Sequence, residues 1–329
     1  MLASFLTRGL DAAPLFEGLE VSCDPAAMAH LGAHDVIYID FSVLPDECES
    51  YRDYIDAIRA GIVDDLRAFA PEAGVEPRIG LFAAHECVYD VTKAQFCFIM
   101  DEWDSLFFNP LFTEDGQRSF LMLLKQLLKT KPYVELSHMA GILSIAKHST
   151  GSELNMFVEY GAVEDLRYDR FFGFTQDEVC ELCARHLACT PDARVGYEGL
   201  EHWYDGYLTE DGERRFNPRS VVLALIDDSL RSCWTESGPY DEIHCYVRNN
   251  IAAVRDDLVR MAAGEPERAE MENYAASSMS LSTKDEIFSA MVVYGFLTYY
   301  DGCVSIPNHV LMLKSRSCWP RRAWATSRA

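Results

Sequence analysis

The sequence predicts an α/β protein whose first part is a parallel β-sheet covered by helices. Three short apolar runs have the length and composition of buried parallel strands, and helix-forming segments separate them. An alternation of strand and helix is the pattern of βαβ units, which build parallel sheets with helices on both faces. The runs are residues 36–41, 96–100 and 133–139, and the helical segments between them are 51–69 and 115–130.

The second apolar run ends in two acids, Asp101 and Glu102. Parallel sheets bind ligands at the carboxyl ends of their strands. In P-loop ATPases that use a glutamate, an acid at this point holds Mg²⁺ and the next acid polarises the attacking water. We therefore expect Asp101 to hold Mg²⁺ and Glu102 to act in catalysis. A hydrophobic strand that merely ends in two acids remains an alternative. Asp104 either assists these acids or caps the helix that follows, and the cap is the role we expect.

The motif that normally accompanies such a strand is G-x-x-x-x-G-K-[ST], whose backbone amides and lysine hold the phosphates. It is absent, and no Gly-Lys pair occurs in the sequence. Two further residues are candidates for nucleotide binding. His138 lies on the third run, where it is either a polar sensor or a satisfied core histidine. Arg219 begins a helical segment, where it is either a cationic finger or a solvated arginine.

The second part of the chain is predicted to be mostly helical, over residues 175–188, 219–231 and 240–264. A helix over 283–294 then leads into two short β runs joined by Asp301-Gly302, a pair typical of a hairpin turn. Helix plus hairpin predicts a winged-helix-like module. The predicted boundaries are an α/β domain over 1–190, a helical region over 191–275, the winged-helix-like module over 276–312 and a basic tail over 313–329.

Composition excludes several classes of function. The 52 acids outnumber the 29 bases, giving a net charge of −23, so the surface repels phosphate backbones and nucleic-acid binding through this chain is not expected. No apolar run is long enough for a transmembrane helix. The 11 cysteines lack disulfide-framework spacing, as in a cytoplasmic protein. Cys180 and Cys183 are expected to be free thiols, since no second pair completes a zinc site.

A set of nine short segments, in a fixed order along the chain, carries a resemblance to a known family. The segments are Phe98–Asp104, Gly141–Lys147, Ser152–Phe157, Phe172–Thr175, Trp203–Tyr207, Phe216–Val221, Trp234–Pro239, Tyr294–Thr298 and Ile306–Asn308. Together they resemble the bacterial AAA-ATPase-like family, in which a P-loop ATPase domain is often followed by a PD-(D/E)XK nuclease-like domain. The resemblance covers almost everything from residue 1 to about residue 312.

The resemblance implies a P-loop NTPase-like parallel sheet, with ATP and Mg²⁺ as cofactors and with Asp101 and Glu102 in the metal and water roles. It also implies truncation at both ends. Family members place the phosphate-loop strand before the segment that resembles Met1–Phe5, and the nuclease-like domain after the region that matches. Ala140 stands where family members usually have threonine. Two functions follow: an ATPase-like protein impaired by the missing phosphate loop, or a non-catalytic remnant that binds a protein partner or a second copy of itself.

Overall fold

A computed structural model describes residues 1–109, 111–143, 154–161, 168, 171–232, 254–271 and 283–318. The chain forms two compact units, Met1–Phe157 and Val158–Ala329, and each is described by itself. The domain boundaries expected from sequence at residues 190, 275 and 312 stay predictions.

The first unit is built on a three-stranded parallel sheet in the order β1-β2-β3, which confirms the predicted α/β class. The central strand is buried along its whole apolar run, because helices cover both of its faces. The last residues of β1 and β2, Asp40 and Asp101, are partners in the register. The strands are β1 Asp35–Asp40, β2 Phe96–Asp101 and β3 Val134–Met139.

Alternate residues of β2 enter two different cores, as the two-residue period of a strand requires. Cys97 and Ile99 pack against Phe5 and Phe16 of the N-terminal segment. On the opposite face, the Phe96 ring contacts the rings of Phe69 and His85 at 5.3 and 6.0 Å between centroids. The helices of this unit are α1 Leu2–Leu6, α2 Ala13–Phe16, α3 Pro25–Met28, α4 Tyr51–Phe69, α5 Leu81–Thr92, α6 Ser105–Phe108 and α7 Glu114–Leu128.

Two features of the first unit were not part of the prediction above. The N-terminal segment forms two short helices: α1 ends at Leu6, where Thr7 adopts an extended conformation, and Gly9 has a positive φ of 79° before α2 begins at Ala13. Helix α5 was not predicted. Its buried side chains include Ala84 and His85, and a small residue and a histidine give a weak apolar pattern.

The second unit contains the predicted Asp-Gly hairpin. Strands β7 and β8 are antiparallel, and Asp301 and Gly302 both have positive φ in the turn between them. Such a turn favours Asp-Gly because both residues must leave the right-handed region. The two-stranded β4-β5 sheet lies between the predicted helices over 175–188 and 219–231. The strands are β4 Asp205–Leu208, β5 Arg214–Phe216, β6 Glu267–Arg268, β7 Thr298–Tyr300 and β8 Cys303–Ser305.

The helices of the second unit also refine the prediction. The helix expected over 219–231 ends at Ile226, and its N-cap is Asn217, whose side chain accepts a hydrogen bond from the Ser220 amide. Residues 240–253 of another predicted helix lie outside the described residues. Among the residues that are described, no helix is long and apolar enough to cross a membrane. The helices are α8 Gln176–Cys189, α9 Tyr197–Tyr204, α10 Pro218–Ile226, α11 over 254–262, α12 Lys284–Val293 and α13 His309–Cys318.

Candidate functional site

Two neighbouring strands of the first unit end in carboxylates at the same edge of the sheet. Asp40 ends β1 and Asp101 ends β2, and the two are register partners, so their side chains share one face. Tyr38 lies on that face two residues earlier, and burial together with the charges of Asp101 and Asp40 raises its pKa. Sequence reasoning missed Asp40. The available signal was an acid near the carboxyl end of the first apolar run, one residue before Phe41.

The loop that follows Asp40 is held in place by three hydrogen bonds to the backbone of Phe41. The Phe41 amide donates to the Asp101 carbonyl over 3.0 Å, which extends the ladder past the two carboxylates. The Phe41 carbonyl accepts from the Tyr54 hydroxyl at 2.7 Å and from the Ser105 hydroxyl at 2.6 Å. These bonds tie the loop after β1 to α4 and to the start of α6. The edge of the sheet that carries Asp40 and Asp101, called the carboxylate edge below, is therefore preorganised by these hydrogen bonds.

Glu102 occupies a backbone conformation that is unfavourable for a residue with a side chain. Its φ is 49°, and a left-handed conformation costs about 1–2 kcal/mol for an ordinary L-residue. The pKa of the Glu102 carboxyl is raised. The largest cause is its partial removal from water, and the negative charges of Asp104, Asp101 and Asp40 add to it. Strain and crowded like charges at one turn are typical of functional sites. A bound cation would relieve the repulsion.

Asp104 does not cap the following helix, so the capping prediction was wrong. It precedes α6 but makes no side-chain cap bond. Instead its Oδ2 accepts hydrogen bonds from the amides of Ile142 at 2.7 Å and Leu143 at 2.6 Å. The side chain is 1% exposed, and burial raises its pKa while these two amides lower it. Asp104 thus has a structural role: it holds the loop after β3 against the turn over residues 101–104, called the acidic turn below.

That loop packs closely enough on the acidic turn to exclude a side chain at Gly141. A Cβ there would lie 2.5 Å from Cδ1 of Trp103 and 2.7 Å from Oδ1 of Asp104. The Trp103 amide donates to the Ala140 carbonyl at 3.2 Å, and the Ala140 amide donates to the Met100 carbonyl at 2.9 Å. The carboxyl end of β3 is therefore fixed to that of β2.

The two candidates for nucleotide binding, His138 and Arg219, lie in different units of the chain. His138 lies on β3 with an exposed side chain, so it is not a buried core histidine. Its register partner is Ile99, two residues before Asp101, which places it on the face that Asp101 occupies. Arg219 is exposed at the start of α10 in the second unit, a different unit from the one that carries the acids. Its role as a cationic finger stays a prediction.

The donor set at this edge suits a hard divalent cation. Mg²⁺ prefers oxygen ligands and usually keeps several waters while binding to one or two carboxylates. Asp40 and Asp101 supply two such carboxylates, and Glu102 stands next to them. Among the described residues, these acids do not form a ready cluster of three mutually close ligand atoms. This arrangement fits an ion that retains much of its water.

The sequence matches no family model, and no curated protein matches it. Among solved structures, the chain is similar to the Walker-type ATPase of Pyrococcus abyssi, with 14% sequence identity and a TM-score of 0.44. The alignment covers 90% of this chain and 88% of that one. At that score the similarity supports no conclusion about ligand or activity, so the function proposed below depends on the carboxylate edge.

Proposed function

We propose that this chain is an ATPase-like protein whose first unit binds Mg²⁺ at the carboxylate edge and whose own turnover of ATP is impaired. The observation that supports this is the pairing of Asp40 with Asp101 at the ends of adjacent parallel strands, with Glu102 immediately after. Three acids at one such edge supply ion ligands and a base together.

Each acid has a distinct part in the proposal. Asp101 and Asp40 hold the ion, directly or through its water. Glu102 accepts a proton from a water molecule, a role for which a raised carboxyl pKa is an advantage because a base works best when its pKa approaches the ambient pH. The ion, when bound, supplies charge that offsets the negative charge of a phosphate group. Asp104 and Gly141 keep the turn in place.

The phosphate side of the site does not fit a triphosphate well. No Gly-Lys pair exists to form the usual phosphate loop, so its amide donors and lysine charge are not supplied by such a motif. Ala140 offers no hydroxyl after β3. Among the basic and polar candidates, His138 in the first unit and Arg219 in the second stay proposals for nucleotide contact. We therefore expect ATP to bind with a Kd of about 1 mM or weaker, which corresponds to about −4 kcal/mol.

A second function, that of a protein-interaction module, is favoured by the outer strand of the sheet. Within the described part of the first unit, β3 pairs on one side only, and its Leu136 side chain is 46% exposed. An edge strand with an exposed apolar residue is a site for pairing with another chain. The partner would be another protein or a second copy of this chain.

Titration of the full chain with Mg²⁺, and with Mn²⁺ as a paramagnetic probe, tests the proposal. We expect Asp101→Asn to weaken ion binding at least about tenfold, equivalent to about 1.4 kcal/mol, and Asp40→Asn to weaken it less. Asp90→Asn removes an exposed acid on α5 and serves as the matched control. Glu102→Gln should leave ion binding intact and abolish any residual hydrolysis of ATP.

Two results would contradict the proposal. Equal Mg²⁺ affinity in the wild type and in Asp101→Asn would remove the carboxylate edge as the ion site. Calorimetry that shows micromolar ATP binding dependent on Asp101 would overturn the impaired-turnover part and restore a competent ATPase. A concentration-dependent dimer that disappears in Leu136→Asp, with no Mg²⁺ binding, would favour the interaction module.

A further inference from the structure

At the amino edge of the same sheet, opposite the carboxylate edge, three potential metal ligands converge. His34 directly precedes β1, Cys97 is the second residue of β2 and Glu135 is the second residue of β3. Each ligand therefore lies at, or directly before, the start of a different strand, although 38 residues separate Cys97 from Glu135 in the chain. Of the residues that the structure describes, only these three form such a cluster of metal-binding side chains.

The ligand atoms of this cluster are near enough to one another to reach a common metal ion after small movements of the side chains. His34 Nδ1 lies 3.0 Å from Glu135 Oε1, and Cys97 Sγ lies 3.8 Å from Glu135 Oε2. The ligand atoms of all three residues lie within 4.8 Å of one another. Around zinc, with bonds of about 2.0–2.3 Å, tetrahedral ligand atoms are separated by about 3.3–3.5 Å. A metal would therefore lengthen the His34–Glu135 separation slightly and draw the Cys97 thiol closer to the other two ligand atoms.

The histidine is oriented as a metal-binding histidine usually is. Its other ring nitrogen, Nε2, lies 2.9 Å from Nδ1 of His30. Without a metal, Nδ1 donates its proton to the Glu135 carboxylate. With a metal bound, Nε2 would carry the proton and donate it to His30 Nδ1, which frees the Nδ1 lone pair for the metal. Metal-binding histidines commonly use a hydrogen bond of this kind to fix the tautomer and the ring plane.

The backbone around the cluster is also fixed. The His34 amide donates to the Leu6 carbonyl at 2.9 Å, and its carbonyl accepts from the Arg8 amide at 2.7 Å. These two bonds attach the start of β1 to the end of α1. Cys97 is 1% exposed within the core formed with Phe5. The histidine and the thiol are thus held on rigid elements, while the exposed Glu135 can adjust.

We propose that His34, Cys97 and Glu135 bind a zinc-class divalent cation, with His30 as a positioning residue and with solvent in the fourth position. A thiol and an imidazole select a borderline-soft metal, whereas Mg²⁺ prefers oxygen ligands. This site and the carboxylate edge therefore take different ions from opposite ends of the same strands. The bound cation would join the amino ends of all three strands.

A titration of the full reduced chain with Co²⁺ alone, followed by displacement with Zn²⁺, tests this site. Thiolate coordination to Co²⁺ gives a near-ultraviolet charge-transfer band. We expect the band to saturate near one equivalent in the wild type, to disappear in Cys97→Ser, and to require at least tenfold more Co²⁺ in Glu135→Gln. Zn²⁺ should raise the melting temperature of the wild type but not that of Cys97→Ser.

The control is Cys183→Ser, which removes a second buried thiol, from the Cys180–Cys183 pair on α8. Its band should match that of the wild type. A band lost in Cys183→Ser but kept in Cys97→Ser would move the metal to that pair and overturn the proposal. No band in the wild type would overturn the proposal and would mean that the three side chains are linked only by hydrogen bonds. If Cys97→Ser fails to fold, an unchanged Co²⁺ affinity in Glu135→Gln overturns the proposal by itself.

Discussion

Replacing Asp104 with alanine tests whether this buried acid, rather than a helix cap, fixes the loop after β3. The substitution removes the acceptor of two short hydrogen bonds, 2.7 Å from the Ile142 amide and 2.6 Å from the Leu143 amide. A hydrogen bond to a charged group contributes about 1.5–3 kcal/mol, so the pair is worth about 3–6 kcal/mol. Burial of the carboxylate, which raises its pKa, offsets part of this contribution. We expect a net loss of about 3 kcal/mol.

Hydrogen exchange at the two amides measures this loss directly. A loss of about 3 kcal/mol in the local opening free energy corresponds to roughly a hundredfold faster exchange, since each factor of ten is about 1.4 kcal/mol. Asp104→Asn keeps one oxygen that can accept both bonds, and it should give an intermediate acceleration. Asp90→Ala is the control, because Asp90 is exposed and its ion pair with Lys93 is long at 4.0 Å.

An unchanged exchange rate at Ile142 and Leu143 in Asp104→Ala would contradict a role for Asp104 in holding this loop. It would mean that the loop after β3 is held by its contact with Trp103 and not by the acid. Exchange that accelerates equally in Asp90→Ala would instead indicate a general loss of stability. Either result would remove Asp104 from the structural support of the carboxylate edge.

Two further predictions concern the packing and titration of the first unit. Gly141→Ala should destabilise the fold by about 1–3 kcal/mol in urea unfolding, because its Cβ would lie 2.5 Å from Trp103. The control is Gly61→Ala inside α4, where the new Cβ meets open space, and it should stabilise the fold by about 1 kcal/mol. Equal effects of the two substitutions would contradict the close contact at Gly141. Burial lowers the pKa of His85 from 6.5 to about 4, so the unfolded chain binds this proton first and stability falls as pH drops from about 6.5 toward 4. His85→Phe should reduce the loss of unfolding free energy between pH 7 and 5 by about 2 kcal/mol, and an unchanged loss would contradict this.

The local patterns of the sequence were sufficient to predict the parallel strands, the acids at the tip of β2 and the Asp-Gly hairpin. Each depends on neighbouring residues: an apolar run is long enough to be a buried strand, and Asp301-Gly302 has the backbone freedom that its turn requires. Helix α5 was missed because its local pattern is weak: Ala84 and His85, which lie on its buried side, are not strongly apolar.

Which distant residues meet depends on the strand order and register of the folded sheet. Asp40 joins Asp101 because the register aligns the ends of β1 and β2. Asp104 binds amides 38 and 39 residues away instead of capping its own helix. His34, Cys97 and Glu135 converge because three separate strands begin at one edge. Strand order and register are set by packing summed over the whole sheet, and no single segment of the sequence contains that information.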